Sequence, residues 1–255
     1  MPEVTRHEPG SFSWAELATT DADAAKKFYA SLFGWTFMDS PAGPDMVYTM
    51  LKKRDKSVGA LFKMGPQQQG MPPHWTTYVT VASADESVKK AKTLGGSVLA
   101  EAFDVMDVGR MATVQDREGA ILCLWEPRKH IGVEIVNEPN VMCWCELDTT
   151  DTQSAGTFYT GLFGWGTKVG GDYTEFQRNG TSIGGMMKIP KEWGNVPPSW
   201  LIYFAVEDCD ATAKTAGERG GHAIVPPTTI ENVGRFAVIA DPQGAVFAII
   251  KLAAM

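Results

Sequence analysis

Residues 12 to 18 alternate Phe12, Trp14, Glu16 and Ala18 against Ser13, Ala15 and Leu17, a period of two that predicts a strand with two unlike faces. The period then changes. Ala25, Phe28, Tyr29, Leu32 and Phe33 fall at helical spacing, Asp21 behind Thr20 is placed to cap the free amides of the first turn, and Gly34 suits a left-handed stop. Residues 46 to 51 and 57 to 64, around the charged turn Lys52-Lys53-Arg54-Asp55, read as a hairpin and then a third strand, which makes one strand, one helix and three strands. The breaker-rich segment Gly65 to Pro73 follows, and the same order returns. A strand runs from Trp75 to Val81 and a short helix from Asp85 to Leu94, ended by Gly95-Gly96. Strands near 97 to 102, 109 to 115 and 120 to 125 complete the unit, the last two joined by the turn Asp116 to Gly119.

The whole pattern is duplicated. Trp14, Glu16, Leu17, Thr19, Thr20, Asp21, Ala25, Phe28, Tyr29, Leu32, Phe33, Gly34 and Trp35 all recur 130 positions later, ending at Trp165. Further on the spacing becomes 125: Gly59 matches Gly184, Pro72 Pro197, Asp85 Asp210, Gly109-Arg110 Gly234-Arg235, Asp116 Asp241 and Gly119 Gly244. The second copy therefore lacks five residues between Trp35 and Gly59, a loss expected to fall in a loop. The chain divides into a tail (1–11), a first domain (12–126), a linker (127–140) and a second domain (141–255).

A formal net charge of −7 without a block of like charges argues against nucleic acid or an anionic membrane as partner, and leaves a small molecule. No run of about 18 apolar residues could cross a bilayer, and Met1 to Glu8 lacks the apolar core of a signal peptide, so a cytoplasmic protein is expected. Cys123, Cys143, Cys145 and Cys209 match Ala248, Ser13, Ala15 and Ala84 in the other half, all small and unreactive. Reduced, buried thiols are the expectation. Alternation places both Cys143 and Cys145 on the helix-packed side of their strand, opposite Trp144.

Two such units, paired into an eight-stranded sheet curled round a cavity, resemble the vicinal oxygen chelate superfamily of glyoxalases, extradiol dioxygenases and bleomycin-resistance proteins. The resemblance rests on the helices running to Trp35 and Trp165 with their Phe-Tyr and Leu-Phe-Gly-Trp signatures, on the Gly-Gly pairs at 95 and 220, and on the turns at Asp116 and Asp241. His130-Ile131-Gly132 and the run Val233 to Val238 are similar to two-domain bacterial glyoxalase-like proteins, one of them described as a culture-filtrate antigen. The fold implied is α+β: four βαβββ modules paired into two glyoxalase-like domains, each a curled eight-stranded mixed sheet with helices outside. The family's enzymes hold a divalent metal through side chains pointing into the cup. Those positions fall on Trp14, Thr76 and Cys123 in the first half and on Trp144, Leu201 and Ala248 in the second. No metal and no other cofactor is expected. His74 with Glu16 is the one weak alternative, while His7, His130 and His222 read as surface histidines.

What both halves retain on the cup-facing side is Trp14 with Glu16 and Trp144 with Glu146, two apart on a strand and so on one face. Tyr78 and Tyr203 match each other as pocket walls, with core packing as the alternative. Arg110 and Arg235, in matching Val-Gly-Arg contexts, are expected to point toward the same cavity, to clamp an anion or to pair structurally with the carboxylates. Two functions follow. One is a metal-independent binding protein of the bleomycin-resistance type that sequesters or carries an aromatic or apolar metabolite. The other is a glyoxalase-like enzyme, a lyase, isomerase or accessory factor to a hydroxylase, with Glu16 or Glu146 as acid or base.

Overall fold

The computed structural model describes residues 3–43 and 46–253. Its elements follow the duplicated pattern. In the first half β1 (Phe12–Thr19), α1 (Ala22–Phe33), β2 (Thr36–Gly43), β3 (Met46–Lys53) and β4 (Lys56–Lys63) precede β5 (His74–Thr80), α2 (Ala84–Thr93), β6 (Ser97–Val105), β7 (Gly109–Gln115) and β8 (Ile121–Pro127). The second half has β9 (Met142–Thr149), α3 (Thr152–Phe163), β10 (Gly166–Gly170), β11 (Tyr173–Arg178) and β12 (Thr181–Lys188). It continues with β13 (Ser199–Ala205), α4 (Cys209–Glu218), β14 (His222–Ile230), β15 (Gly234–Ala240) and β16 (Val246–Leu252). Each half is one mixed eight-stranded sheet, in the orders β2-β3-β4-β1-β5-β8-β7-β6 and β10-β11-β12-β9-β13-β16-β15-β14. The strand that carries the Trp and the Glu thus lies at the middle of each sheet, parallel to β4 or β12 and antiparallel to β5 or β13.

The helices form where the caps predict. Asp21 accepts the Ala24 amide at 3.0 Å and Asp151 those of Gln153 and Ser154, while Gly34 and Gly164 end their helices at φ +66° and +72°. They lie outside the cups, as expected, but α1 and α3 are also wedged between the two sheets. Phe33 of α1 packs against Phe204 of the other half at 5.2 Å, and the Tyr29 hydroxyl donates to Asp241 at 3.0 Å while accepting the Trp75 indole N–H at 2.9 Å. The second copy repeats the device: Tyr159 donates to Asp116 and accepts from Trp200, both at 3.0 Å. Asp116 and Asp241 each spend one oxygen on the amides of their own turn and the other on the opposite half's tyrosine. The two convex backs share a single core.

Both central strands carry a bulge near their start, between Phe12 and Trp14 and at the matching place in β9. Strict alternation fails there. Cys145 lies in the shared core, with Sγ 3.3 Å from the Thr77 hydroxyl of the other sheet, whereas Cys143 packs on the cup side beside Trp144. The expectation that Cys143 sits opposite Trp144 is therefore corrected. All four cysteines are free. Among the described residues no helix is long and apolar enough to cross a membrane.

The five residues missing from the second copy are not taken from a loop. β2 and β3 have eight residues each, β10 and β11 five and six. The first half thus keeps a longer hairpin, and that hairpin stands as one wall of its cup.

Candidate functional site

At the floor of the first cup the Trp14 indole N–H donates to the Tyr48 hydroxyl at 3.3 Å. Tyr48 donates in turn to Glu16 Oε2 at 2.6 Å, and Tyr78 donates to Glu16 Oε1 at 2.8 Å. Register explains the convergence, because Tyr78 is the antiparallel partner of Trp14, Thr76 that of Glu16, and Met50 on the Tyr48 face stands beside Ala60. Burial raises the Glu16 pKa, and the two phenol hydrogen bonds oppose that rise by favouring the charged form. Both carboxylate oxygens are oriented, yet Glu16 is only half-buried, and the surface it keeps faces a cavity of about 760 Å³. Met38, Met46 and Tyr48 of the long hairpin form one wall and Val105, Met106 and Met111 of the β6–β7 hairpin the other. Trp125 and His130 close the side, and among the described residues no Lys or Arg lines the cavity.

His130 belongs to what the sequence reading treated as linker. Its ring stands edge-on to Trp14 at 4.5 Å, its carbonyl accepts the Trp125 indole N–H at 2.9 Å, and its amide donates to Val108 at 3.0 Å. Two residues on, Gly132 at φ +111° passes so near β1 that a Cβ would lie 2.2 Å from the Ser13 carbonyl, and the Val133 amide donates to that same oxygen at 2.8 Å. The N-terminal tail holds this strap in turn, His7 Nε2 donating to Val133 O at 2.8 Å. His7 and His130 are thus packed groups, not surface histidines. Burial pulls the His130 pKa down to about 4, so its imidazole is neutral near pH 7.

The second cup repeats the floor. Trp144 donates to the Tyr173 hydroxyl at 2.9 Å, Tyr203 donates to Glu146 at 2.8 Å, and burial again raises the carboxyl pKa against the hydrogen bonds of Tyr203 and Tyr173. Six of the eight candidate residues, Trp14, Glu16, Tyr78, Trp144, Glu146 and Tyr203, are therefore brought together as two matching trios. Arg110 and Arg235 are not. Met111 and Phe236 face the cups, so their neighbours point to the helix side, where Arg110 forks onto Asp85 at 2.8 and 2.9 Å and Arg235 onto Asp210 at 2.6 and 2.7 Å. Neither clamps an anion in a cup or pairs with Glu16 or Glu146. Tyr48 and Tyr173 were missed, although they stand 125 apart like the other matched pairs. A groove of about 1000 Å³ outside the cups, between α3 and β12, is lined by Thr, Gln, Lys and Glu side chains and, among the described residues, holds no Trp–Tyr–Glu trio.

The residues present do not fit a divalent metal. In the first cup Trp14, Thr76 and Cys123 surround Glu16, and burial pushes the Cys123 thiol up to about 12, which keeps it protonated and a poor ligand. In the second cup Leu201 stands opposite Glu146 and Ala248 beside Tyr203. Among the described residues no three His, Cys, Asp or Glu side chains are placed to share a metal. His74 faces the cup from beside Ala18, but its Nδ1 is engaged by the Pro72 carbonyl at 2.9 Å, and no third donor joins it and Glu16.

The family description Glyoxalase/Bleomycin resistance protein/Dioxygenase superfamily matches residues 11–124 and 142–249, the two sheets in turn. The chain belongs to this superfamily. It is 41% identical over 258 residues to CFP32 of Mycobacterium tuberculosis (strain CDC 1551 / Oshkosh), named as a candidate glyoxylase, covering 98% of each chain. It is 33% identical over 268 residues to the anthracycline biosynthesis protein DauV of Streptomyces sp. (strain C5), covering 98% of this chain and 96% of the other. Among solved structures, the Mn(II)-bound glyoxalase of Novosphingobium aromaticivorans superposes with a TM-score of 0.68 at 14% identity, over 95% of this chain and 82% of that one. The 2,3-dioxygenase LapB of Pseudomonas sp. KL28 superposes with a TM-score of 0.65 at 12% identity, over 100% and 94%. At these identities the superfamily fold is what the structures share.

Proposed function

We propose that the first domain's cup binds a flat, uncharged aromatic metabolite without a metal, in the manner of a carrier or sequestering protein. The observation that carries this reading is the cavity itself, an aromatic and methionine-rich chamber whose deep polar group is a carboxylate oriented by two phenols. Methionine walls adapt to polycyclic surfaces, and an oriented acceptor rewards a ligand that brings a hydroxyl or N–H. Absence of lining cations disfavours phosphorylated or carboxylated ligands. The 33% identity to DauV supports the class, because anthracyclines are fused-ring aromatics.

N-phenyl-1-naphthylamine, neutral and bearing one N–H donor, tests the reading through its fluorescence gain on entering an apolar site. Saturable binding at one site per chain is expected, with added Mn²⁺, Zn²⁺ or chelator without effect. Glu16→Gln then separates a carrier from an enzyme, since it keeps the shape and removes the basicity. A carrier should lose about 0.5–1.5 kcal/mol of affinity, one hydrogen bond. An enzyme using Glu16 as base, for which the raised pKa is the supporting observation, should lose turnover by about 100-fold or more while still binding. No saturable binding, or binding that needs a divalent ion, would overturn the proposal.

A further inference from the structure

The two cups differ at one position of the central strand. Where β1 has Ala18, β9 has Asp148, two residues beyond Glu146 on the same face, with no bulge between them in either neighbouring register. Both carboxyls are nearly enclosed, Glu146 exposing 9% and Asp148 7% of its surface, and Asp148 Oδ1 has no hydrogen-bond partner among the described residues. The protein's other buried acids are provided for: Asp116 and Asp241 each receive backbone amides and a tyrosine hydroxyl. Among the described residues no cation adjoins Glu146 or Asp148, and burial together with the Glu146 charge pushes the Asp148 pKa up to about 7. Two like groups stacked on one face without a counter-charge are costly, and an arriving positive charge would remove that cost.

The cup side of this half carries four aromatic rings beside the aliphatic Leu201, Val238 and Ile250. Trp144, Tyr173 and Phe236 are half-buried on the cup side, and Tyr203 lies 6.3 Å from Phe236. The close fit of Tyr173 is built in, because a Cβ on Gly185, the strand neighbour of Glu146, would lie 2.3 Å from the Tyr173 hydroxyl oxygen. Half-buried aromatic rings on the same side of a sheet as uncompensated carboxyls offer what an organic ammonium ion needs, the ring quadrupole and a negative charge. A metal ion is a poor fit, since among the described residues no third ligand stands near.

We propose that the second cup is a separate binding site for a small alkylammonium group, seated among Trp144, Tyr173 and Phe236 with its charge on the Glu146 and Asp148 carboxyls. The two halves then differ in ligand chemistry: the first cup, whose Glu16 is held by two phenols, takes an uncharged ring, and the second, whose Asp148 Oδ1 is left without a partner, takes a cation. This site does not depend on the ligand proposed for the first cup.

Choline and its neutral isostere 3,3-dimethylbutan-1-ol test it at constant ionic strength, followed by the Trp144 indole N–H resonance, assigned with Trp144→Phe. Choline is expected to shift that resonance saturably with a dissociation constant of about a millimole per litre or tighter, and the alcohol to bind about tenfold more weakly or worse. Asp148→Asn, which keeps the shape, and Asp148→Ala, the first half's residue, should each weaken choline by about tenfold while Trp14 resonances stay unmoved. Equal binding of choline and the alcohol would overturn the site. So would choline binding indifferent to Asp148→Asn, or no saturable shift at all; the carboxyls would then simply share a proton. N-phenyl-1-naphthylamine binding, measured in parallel, should be unchanged by the Asp148 variants.

Discussion

Asp148 titrates in a direction that can be measured. Its pKa is about 7 in the folded protein against 3.8 for the unperturbed group, so between about pH 4 and 7 the folded state holds a proton that the unfolded chain has released. Stability must therefore fall as pH rises through that window. Asp148→Asn removes the effect, and the variant should gain on the wild type progressively from pH 4 to 8, by a few kcal/mol at most, in denaturant unfolding at a series of pH values. His130 acts in the opposite sense. Held neutral down to about pH 4 against 6.5 when unperturbed, it makes stability rise with pH between those values in wild type and variant alike, so the difference isolates Asp148. Tyr48→Phe leaves Glu16 Oε2 and the Trp14 N–H each short of a partner, and should cost about 1–3 kcal/mol in the same measurement.

Among the elements, the strap and the long hairpin make the first cup a chamber. Gly132→Ala adds a methyl group where there is no room and at a φ that L-residues rarely adopt, so the strap must lift from Ser13. A loss of about 2 kcal/mol or more in chemical denaturation is expected, together with weaker N-phenyl-1-naphthylamine binding in the first cup. Most elements were legible in sequence because each obeys a local rule: the helix stripe with its Asp cap and Gly stop, the alternating central strand, the turn aspartates. β2 and β10 were not. Their residues are mostly exposed edge positions without a buried face to impose a period. The strap escaped for a related reason. It pairs with residues far along the chain, Ser13, Ser57 and Val108, and no local pattern encodes that.

For the whole molecule, α1 and α3 serve both sheets, and the Tyr29–Asp241 and Tyr159–Asp116 bonds tie each helix to the other half. Residues 1–126 expressed alone should fail to fold to a dispersed NMR spectrum, because Phe28, Tyr29 and Phe33 would lose the Phe204 and Phe247 surfaces they pack on. The intact chain should unfold in one transition seen alike by tryptophan fluorescence and circular dichroism, and two separated transitions would show that the shared core is weaker than drawn.

Duplication made the fold readable, since thirteen matched residues and two constant spacings carry a βαβββ plan through chain order alone. It also picked out Trp14 and Glu16 with their counterparts, which period-two alternation places on one face, and Tyr78 with Tyr203 as a matched pair whose place beside them is set by strand pairing. Arg110 and Arg235 were misplaced by the same logic: repetition marks a residue as needed by the fold twice, and here the need is a fork onto the first turn of α2 or α4. Only the tertiary structure decided that the cups are unequal. That inequality comes from a hairpin longer by five residues, a strap folded back across β1, and a carboxyl facing another carboxyl. The strap pairs with segments distant in sequence, and the hairpin's place as a wall and the burial of Asp148 without a partner depend on packing, about which local periodicity carries no information.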